Sequence, residues 1–171
     1  SGAPRTAQLI DQLHLPASRS PAHEPLNDAA LVESAETRIA CTTDSDVVTP
    51  IFFRGGDIGE LAVNGTINDL AVSGARPLAL SLAFILEEGL PIADLKRVVE
   101  SARAAAERAG VPVVTGDTKV VGRGSADKLF INTSGIGAVP RGRRLGAREV
   151  RPGDAIVVSG TMGDHGVAIM S

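Results

Sequence analysis

Residues 57–87 read DIGELAVNGTINDLAVSGARPLALSLAFILE and place a helix start, a helix stop and a long strand in direct succession. Asp57 and Glu60 stand at the spacing of a capping box, with aspartate in place of the usual serine or threonine. Apolar side chains then recur at helical spacing over 63–71, and Gly74 marks the stop. The sequence therefore predicts a helix that begins after Asp57 and is followed directly by a strand.

That strand, residues 78–86, is apolar on both of its faces. Leucine and phenylalanine occupy the even positions, and alanine, serine and isoleucine occupy the odd ones. A strand without a polar face is typical of the covered interior of a sheet. Since the sequence offers two amphipathic helices to cover it, we expect a second copy of the chain to cover the rest, in a homodimer.

Further elements are predicted on either side of this stretch. A second long helix places apolar side chains on one stripe from Leu95 to Ala109 and ends at Gly110. Strands are predicted at 39–43, 111–115, 129–139 and 155–159, and a short helix at 7–13. The order of strands and helices predicts an α+β fold, a mixed β-sheet with helices packed on one face.

The positions of prolines and of periodic patterns along the chain predict three segments. Residues 1–38 are the least regular, because prolines interrupt them and no periodic pattern extends far. Residues 39–159 contain the longest regular patterns and form the predicted main domain. Residues 160–171 open a new apolar helix without a cap, so we expect them to begin a truncated carboxy-terminal domain of a longer protein.

Composition excludes several classes of protein. The 171 residues carry 20 acidic and 17 basic side chains, a formal charge of −3, and such a balance argues against a nucleic-acid binder. Four phenylalanines and no tryptophan or tyrosine leave little surface on which bases could stack. Every apolar run is broken before the roughly 20 residues that a membrane span needs. The single cysteine, Cys41, excludes an intramolecular disulfide, and we expect a cytoplasmic protein.

Three aspartates at the ends of predicted elements are candidate metal ligands. Asp44 follows the first strand, Asp69 lies beside Asn68 in the first long helix, and Asp117 follows the third strand. Carboxylates gathered from separate elements suit one or two Mg²⁺ ions that bridge phosphate oxygens. Lys119 adds the cation that phosphates need. The pattern favours nucleotide binding, although turn formation is the ordinary role of an aspartate after a strand.

Other polar residues leave alternatives open. Glu87 and Glu88 fit a solvated strand end or a metal role, and His165 fits a helix start or a phosphate contact. Cys41 fits a small buried side chain better than a nucleophile, since no cation adjoins it. The basic segment 141–144 is most simply a solvated turn. The sequence lacks the P-loop motif Gly-x-x-x-x-Gly-Lys-Ser/Thr, and no Gly-x-Gly-x-x-Gly motif follows a strand. Any nucleotide is therefore bound by a less common type of site.

Seven blocks in order resemble the HypE family of hydrogenase maturation proteins, and the match runs over 39–171. The blocks include Thr42-Thr43-Asp44-Ser45, Gly55-Gly56-Asp57-Ile58-Gly59, Gly65-Thr66-x-Asn68-Asp69-Leu70-Ala71, Phe84-Ile85-x-Glu87-Glu88-Gly89, Gly116-Asp117-Thr118-Lys119-Val120-Val121, Leu129-Phe130-Ile131-Asn132-Thr133 and Gly163-Asp164-His165-Gly166. This family is related to aminoimidazole ribonucleotide (AIR) synthetase, selenophosphate synthetase and thiamine-monophosphate kinase.

The resemblance implies that residues 39–159 form a PurM-like ATP-binding and dimerisation domain, which pairs across a dimer into a β-barrel. Such a protein accepts a carbamoyl group from HypF on a carboxy-terminal cysteine and uses ATP to dehydrate it to a thiocyanate. The cyanide then passes to the iron of [NiFe]-hydrogenase through HypC and HypD. By the same resemblance ATP and Mg²⁺ are bound, with the metal at Asp44, Asp69 and Asp117. The implied nucleotide contacts also include Asn68, Thr115, Gly116 and Lys119.

Three departures from the family pattern qualify that expectation. The carboxy-terminal cysteine tail is absent, so no catalytic residue is assigned and the chain alone should be inactive. The family's amino-terminal glycine segment is represented by Ser1-Gly2, with Ala3 in place of the next glycine. Asp46 replaces an aromatic residue and puts negative charge near Asp44. The alternatives are a dimerisation and docking module without nucleotide, and another ATP-dependent enzyme of the superfamily.

Overall fold

The computed structural model describes residues 3–17, 29–33 and 37–170. The helices are α1 (Ala3–Leu9), α2 (Leu15–Ala17), α3 (Ile58–Val72), α4 (Ile92–Ala109) and α5 (Asp164–Met170), with a π-helical turn at Ile10–His14 and a 3-10 turn at Ala147–Glu149. The strands are β1 (Ala30–Glu33), β2 (Arg38–Asp46), β3 (Phe52–Phe53), β4 (Gly56–Asp57), β5 (Arg76–Glu87), β6 (Val113–Val121) and β7 (Leu129–Val139).

Five strands form one mixed sheet in the order β1-β2-β7-β5-β6. The pair β5–β6 is parallel and the other pairs are antiparallel. β5 therefore lies inside the sheet, as its apolar sequence predicts. The register aligns Asp44 with Thr133, Thr133 with Leu82 and Leu82 with Gly116, so these four residues share one row.

Helices α3 and α4 cover one face of this sheet, here called the helix face. The core between them is built from fully buried side chains: Ile58, Val63, Leu70, Leu80, Val98, Ala102, Leu129 and Ile131. In β7 the odd-numbered residues are buried, and the even-numbered residues on the opposite face are half-buried or exposed. That opposite face is called the open face. The α+β fold with helices on one face is confirmed.

The two ends of α3 follow the predicted signals with one difference. The Asp57 carboxylate accepts hydrogen bonds from the backbone N–H groups of Gly59, at 2.8 Å, and Glu60, at 3.2 Å. The Glu60 carboxylate does not return a bond to the cap, because it pairs with Arg108 of α4 at 2.5 Å. Gly74 follows the helix with φ +78°, a backbone conformation that favours glycine.

Two sequence expectations about strands are wrong, and one strand was missed. Residues 155–159 join no ladder, because their apolar side chains stay exposed without a partner strand; Ile156 is 96% exposed. β6 does not end at Thr115 but continues to Val121, and β2 continues to Asp46, so Asp117 and Asp44 lie within their strands and not after them. β1 was not predicted, yet its four residues pair with β2 as an edge strand. The segment bounds 1–38, 39–159 and 160–171 stay predictions.

The described part of the chain holds other expected features. A helix occupies Asp164–Met170, where a new apolar helix was expected, and the predicted helix at 7–13 falls within the α1 and π-helical region. Gly110 ends α4 in the left-handed region at φ +67°. Among the described residues no helix combines the length and apolar content needed to cross a membrane.

Candidate functional site

Two of the predicted carboxylates lie together where α3 packs on β2. The Thr42 hydroxyl donates a 2.8 Å hydrogen bond to Oδ2 of Asp69, and the Thr66 hydroxyl donates one of 3.3 Å to Oδ2 of Asp44. A Cβ at Gly65 would stand 3.3 Å from the same Asp44 oxygen. The helix therefore approaches the Asp44 carboxylate closely because residue 65 has no side chain.

Periodicity explains how these side chains come to share a site. Residues 42, 44 and 46 alternate onto the helix face of β2, and Thr66 and Asp69 are one turn apart on α3. Thr66 and Thr133 are both fully buried and hydrogen-bonded to each other, which ties α3 to β7. Sequence reasoning missed these threonines; the available signal was a polar residue on the apolar stripe of a helix.

Asp46 adds a third carboxylate on the helix face of β2, near Asp44. Its Oδ2 is buried and has no hydrogen-bond partner among the described residues. Burial and, to a lesser degree, the neighbouring Asp44 charge raise the pKa of Asp46 to about 6. The expected addition of negative charge near Asp44 is thus present. An orphaned buried oxygen near a second carboxylate is an oxygen that a divalent cation could satisfy.

Asp117 does not join this group. The register places it level with Ala83, Asn132 and Ser45, a row on the open face, whereas Asp44 lies on the helix face. Three interstrand steps of about 4.8 Å separate Asp117 from Ser45 by roughly 14 Å. In the described ranges no three His, Cys, Asp or Glu side chains are placed to hold one metal ion. The expected three-aspartate centre is therefore not assembled within a single chain.

Thr115 and Lys119 accompany Asp117 on the exposed edge strand β6, pairing with Ser81 and Ile85 of β5. Asp117 Oδ1 accepts a 2.8 Å hydrogen bond from the backbone N–H of Thr118. A Cβ at Gly116 would stand 2.2 Å from the Leu82 carbonyl oxygen, so glycine alone fits there. Asn68 is exposed on α3 next to Asp69.

A polar band crosses the open face and leads from β2 towards Asp117. Ser134 donates its N–H to Ser81 Oγ at 3.1 Å and its hydroxyl to Thr43 at 3.2 Å. Asn132 donates to the Asp44 carbonyl at 2.7 Å and to Ser45 Oγ at 3.0 Å. Sequence reasoning missed this band, because register alone brings these short polar side chains together.

Glu87 is a loop anchor in this structure. Its carboxylate accepts hydrogen bonds from the backbone N–H groups of Gly124 and, at 2.9 Å, Lys128. These bonds, first the one from Gly124, lower the pKa of Glu87 below its ordinary value of 4.5. Glu88 is exposed, and the side chain of His165 lies outside the described residues. A structural role for Glu87 at the end of its strand is therefore better supported than a metal role.

The sheet, its helices and this site define a class of protein. Residues 26–139 match the family described as AIR synthase related protein, N-terminal domain. The chain belongs to that family.

Particular relatives within the class are similar over the whole chain. The chain is 55% identical over 171 residues to carbamoyl dehydratase HypE of Azotobacter vinelandii, a match that covers 100% of the chain and 50% of that relative. The chain spans about half the length of the curated relatives it matches. The resemblance to HypE is thereby confirmed.

Solved structures of HypE proteins are also similar to this chain. A crystal structure of a HypE–HypF complex superposes with a TM-score of 0.88 at 50% identity, covering 95% of this chain and 52% of that one. A crystal structure of HypE in complex with ATP gives 0.77 at 53% identity, with 97% and 49% covered. These neighbours confirm the mixed α+β fold.

Proposed function

We propose that this chain binds ATP with Mg²⁺ and forms part of an ATP-dependent carbamoyl dehydratase of hydrogenase maturation. The observation that carries the proposal is the placement of Asp44 and Asp69 at the close approach of α3 to β2, each held by a threonine hydroxyl. It is supported by 53% identity to a HypE crystallised with ATP. Hard oxygen ligands held by neighbouring hydroxyls suit Mg²⁺.

The proposal assigns roles to both groups of residues. Asp44 and Asp69 would hold a metal ion, Asp117 would bind Mg²⁺ that bridges to the phosphates, and Lys119 would contact phosphate oxygens, with Thr115 and Gly116 beside it and Asn68 supporting. When bound, the metal neutralises charge on the transferring phosphate. Since Asp117 lies on the open face, which the proposed homodimer covers, its contacts are made at the subunit interface.

The relatives' name, carbamoyl dehydratase, implies that a carbamoyl group loses water, and the chemistry follows from that reaction. Dehydrating a primary amide requires its oxygen to become a leaving group, and phosphorylation by ATP achieves that. Lys119 stabilises the charge that develops. Cys41 lies half-buried within β2 and cannot act as a mobile tail nucleophile, so the carbamoylated cysteine comes from elsewhere in the protein. The 171-residue chain alone is therefore inactive as a dehydratase.

Partners are part of the same proposal. HypF donates the carbamoyl group, in keeping with the crystallised HypE–HypF complex, and HypC with HypD receives the cyanide. Both assignments rest on similarity to HypE.

Calorimetric titration with a non-hydrolysable ATP analogue and Mg²⁺ tests the site. We expect Asp69→Asn to abolish binding while the dimer persists, because the variant removes a metal-binding charge and keeps the side-chain shape. Asp94→Asn, the same change in the first turn of α4, is the matched control and should bind as the native chain does. Native affinity in Asp69→Asn would overturn the metal assignment.

A second candidate is a dimerisation and docking module without nucleotide. The separation of Asp117 from Asp44 and Asp69 favours it, since one chain does not assemble the full ligand set. The same titration distinguishes the two functions. If the native protein gives no heat signal with the ATP analogue at high micromolar concentration, the docking module is favoured.

A further inference from the structure

Two buried threonines lie beside Asp44, where α3 packs on the sheet. Thr66 belongs to α3, and Thr133 belongs to β7, where it stands opposite Asp44 in the β2–β7 register. Both are fully buried, and in the described part of the chain they are the only buried polar residues. A buried hydroxyl is costly unless it is hydrogen-bonded, so this threonine pair is tolerated only with matching partners.

The side chain of Thr66 is held in one orientation by β7. Its hydroxyl is hydrogen-bonded to the Thr133 hydroxyl, and its methyl group lies over Gly135, where an added Cβ would stand 2.7 Å from Thr66 Cγ2. The missing side chain at Gly135 therefore leaves room for the methyl group. With the methyl group placed there, the Thr66 hydroxyl lies between Thr133 and Oδ2 of Asp44, which is 3.3 Å away.

The hydroxyl protons of the threonine pair can be arranged in one order only. Each hydroxyl has one proton to donate and can also accept, whereas an ionised carboxylate only accepts. Within the described residues the Thr133 hydroxyl is hydrogen-bonded to no acceptor except Thr66 Oγ1. If Thr66 donated to Thr133, the buried Thr133 proton would have no acceptor. Thr133 therefore donates to Thr66, and Thr66 donates to Asp44.

This order of donors holds one oxygen of the Asp44 carboxylate and leaves the other available. Oδ2 accepts the Thr66 hydroxyl, whereas Oδ1 receives no hydrogen bond from the residues that the structure describes. A carboxylate that binds a metal ion is commonly oriented by such a hydrogen bond from a group that does not itself touch the metal. The held oxygen fixes the carboxylate, and the available oxygen can face a cation.

We propose that Thr66 is a positioning residue, which orients the Asp44 carboxylate for a divalent cation and is itself oriented by Thr133. The inference rests on the proposed function, in which Asp44 would hold a metal ion. Loss of an orienting group typically weakens metal binding about 10- to 100-fold. The 3.3 Å separation exceeds the usual 2.5 to 3.0 Å of an O–H···O bond, so we expect the lower end of that range.

Calorimetric titration of the full chain with a non-hydrolysable ATP analogue, repeated at a series of Mg²⁺ concentrations, tests the role of Thr66. In Thr66→Val the Mg²⁺ concentration for half-maximal analogue binding should rise about tenfold, because the donor to Asp44 is lost. Thr66→Ser keeps the hydroxyl and should stay within about threefold of the native value. A role in packing alone predicts the reverse, because valine keeps the filled volume and serine loses the methyl group beside Gly135.

The partner of Thr66 is tested in the same titration. Thr133→Val should raise the required Mg²⁺ concentration by about threefold, since Thr66 keeps its proton but loses the group that orients it. Thr161→Val is the matched control, because it also removes a threonine hydroxyl that is bonded to an aspartate, Asp164, outside the site. The Mg²⁺ dependence of this control should stay within about twofold of the native value.

Urea unfolding separates positioning from stability. Thr66→Val leaves the buried Thr133 hydroxyl without an acceptor and should lower the unfolding midpoint. The double variant Thr66→Val with Thr133→Val removes both hydroxyls and keeps both shapes, so its midpoint should return close to the native one. Its Mg²⁺ dependence should stay weakened, because Asp44 still lacks the donor. The double variant also keeps the test decisive if Thr66→Val alone does not fold.

The inference is overturned if Thr66→Val, or the double variant, keeps the native Mg²⁺ dependence, or if Thr161→Val loses as much. A native Mg²⁺ dependence in Thr133→Val would overturn the role of Thr133. Loss of binding in Asp69→Asn, measured in parallel, shows that the metal site exists, so failure of the threonine pair is distinguished from failure of the proposed function. Native affinity in Asp69→Asn, or a native chain that binds no analogue, would overturn both.

Discussion

Glu87 shows how one carboxylate can organise a loop. Its two oxygens accept the backbone N–H groups of Gly124 and Lys128, and Lys128 has a positive φ of 67°, unusual for a side-chain-bearing residue. The loop over 122–128 joins β6, which carries Asp117, to β7. Holding this loop therefore helps to fix where β6 ends.

Glu87→Gln should loosen this loop and change its pH dependence. Because the folded pKa of Glu87 lies below the ordinary 4.5, its stabilising contribution is present above that pH and is lost as pH falls through the folded value. We expect Glu87→Gln to lower the unfolding midpoint at pH 7 and to make no difference near pH 2. Thermal unfolding across this range measures the effect.

Glu88→Gln is the matched control, since Glu88 is the exposed neighbour and only its backbone N–H is bonded, to the Val121 carbonyl. Its unfolding midpoint should follow the native curve at every pH. A Glu87→Gln curve parallel to the native one would show that the two amide bonds do not depend on the charge.

At the scale of elements, the contact between α3 and α4 depends on a glycine. A Cβ at Gly59 would stand 2.3 Å from the Val98 carbonyl oxygen of α4, far inside any allowed contact. Both residues are buried, and Ile58 and Val98 belong to the same core cluster. The first turn of α3 can therefore reach α4 only because residue 59 has no side chain.

Gly59→Ala should destabilise the fold by about 1 to 3 kcal/mol, the usual range for overpacking a filled core. Helix propensity alone would favour alanine by roughly 0.5 to 1 kcal/mol, so the sign of the change identifies the clash. Urea unfolding measures it. Gly166→Ala in α5, where an added Cβ meets nothing within 4 Å, is the control and should be neutral or slightly stabilising. A stabilised Gly59→Ala would contradict the packing.

The elements that sequence could predict are those with a local signal. The Asp57 cap, the apolar stripe of α3 and the Gly110 stop each lie within a few residues of the element they define. The strand expected at 155–159 had the right composition, but a strand also needs a partner, and no local pattern supplies one. β6 was predicted too short because polar residues follow Thr115, whereas the strand continues through Gly116, which approaches β5 closely.

The candidate site was predictable in part for the same reason. Asp44 and Asp69 meet because each follows the period of its own element. The position of Asp117 depends on the β5–β6 register, and a one-residue shift sends a side chain to the other face of the sheet. That register shifts between Leu80 and Ser81, and no sequence pattern predicts this shift.

For the whole molecule, the decisive feature is the open face of the sheet. Ile85 and Ile136 on this face are 40% and 45% exposed, on either side of the polar band that includes Ser134. Exposed apolar side chains on a continuous sheet surface mark an interaction site. A second copy of the chain offers the same surface, so apolar and polar rows can meet their counterparts in a symmetric contact.

Ile136→Lys should therefore convert the expected homodimer to a monomer. An unpaired ammonium placed in such a contact costs several kcal/mol, so dimerisation should weaken by at least about 100-fold. Sedimentation velocity at micromolar concentrations measures the effect, and far-UV circular dichroism checks that the fold is kept. Val72→Lys is the control, because Val72 is 57% exposed at the end of α3, on the helix side of the sheet. A native monomer, or a dimer that survives Ile136→Lys, would rule out pairing through this face and would also separate Asp117 from any subunit interface.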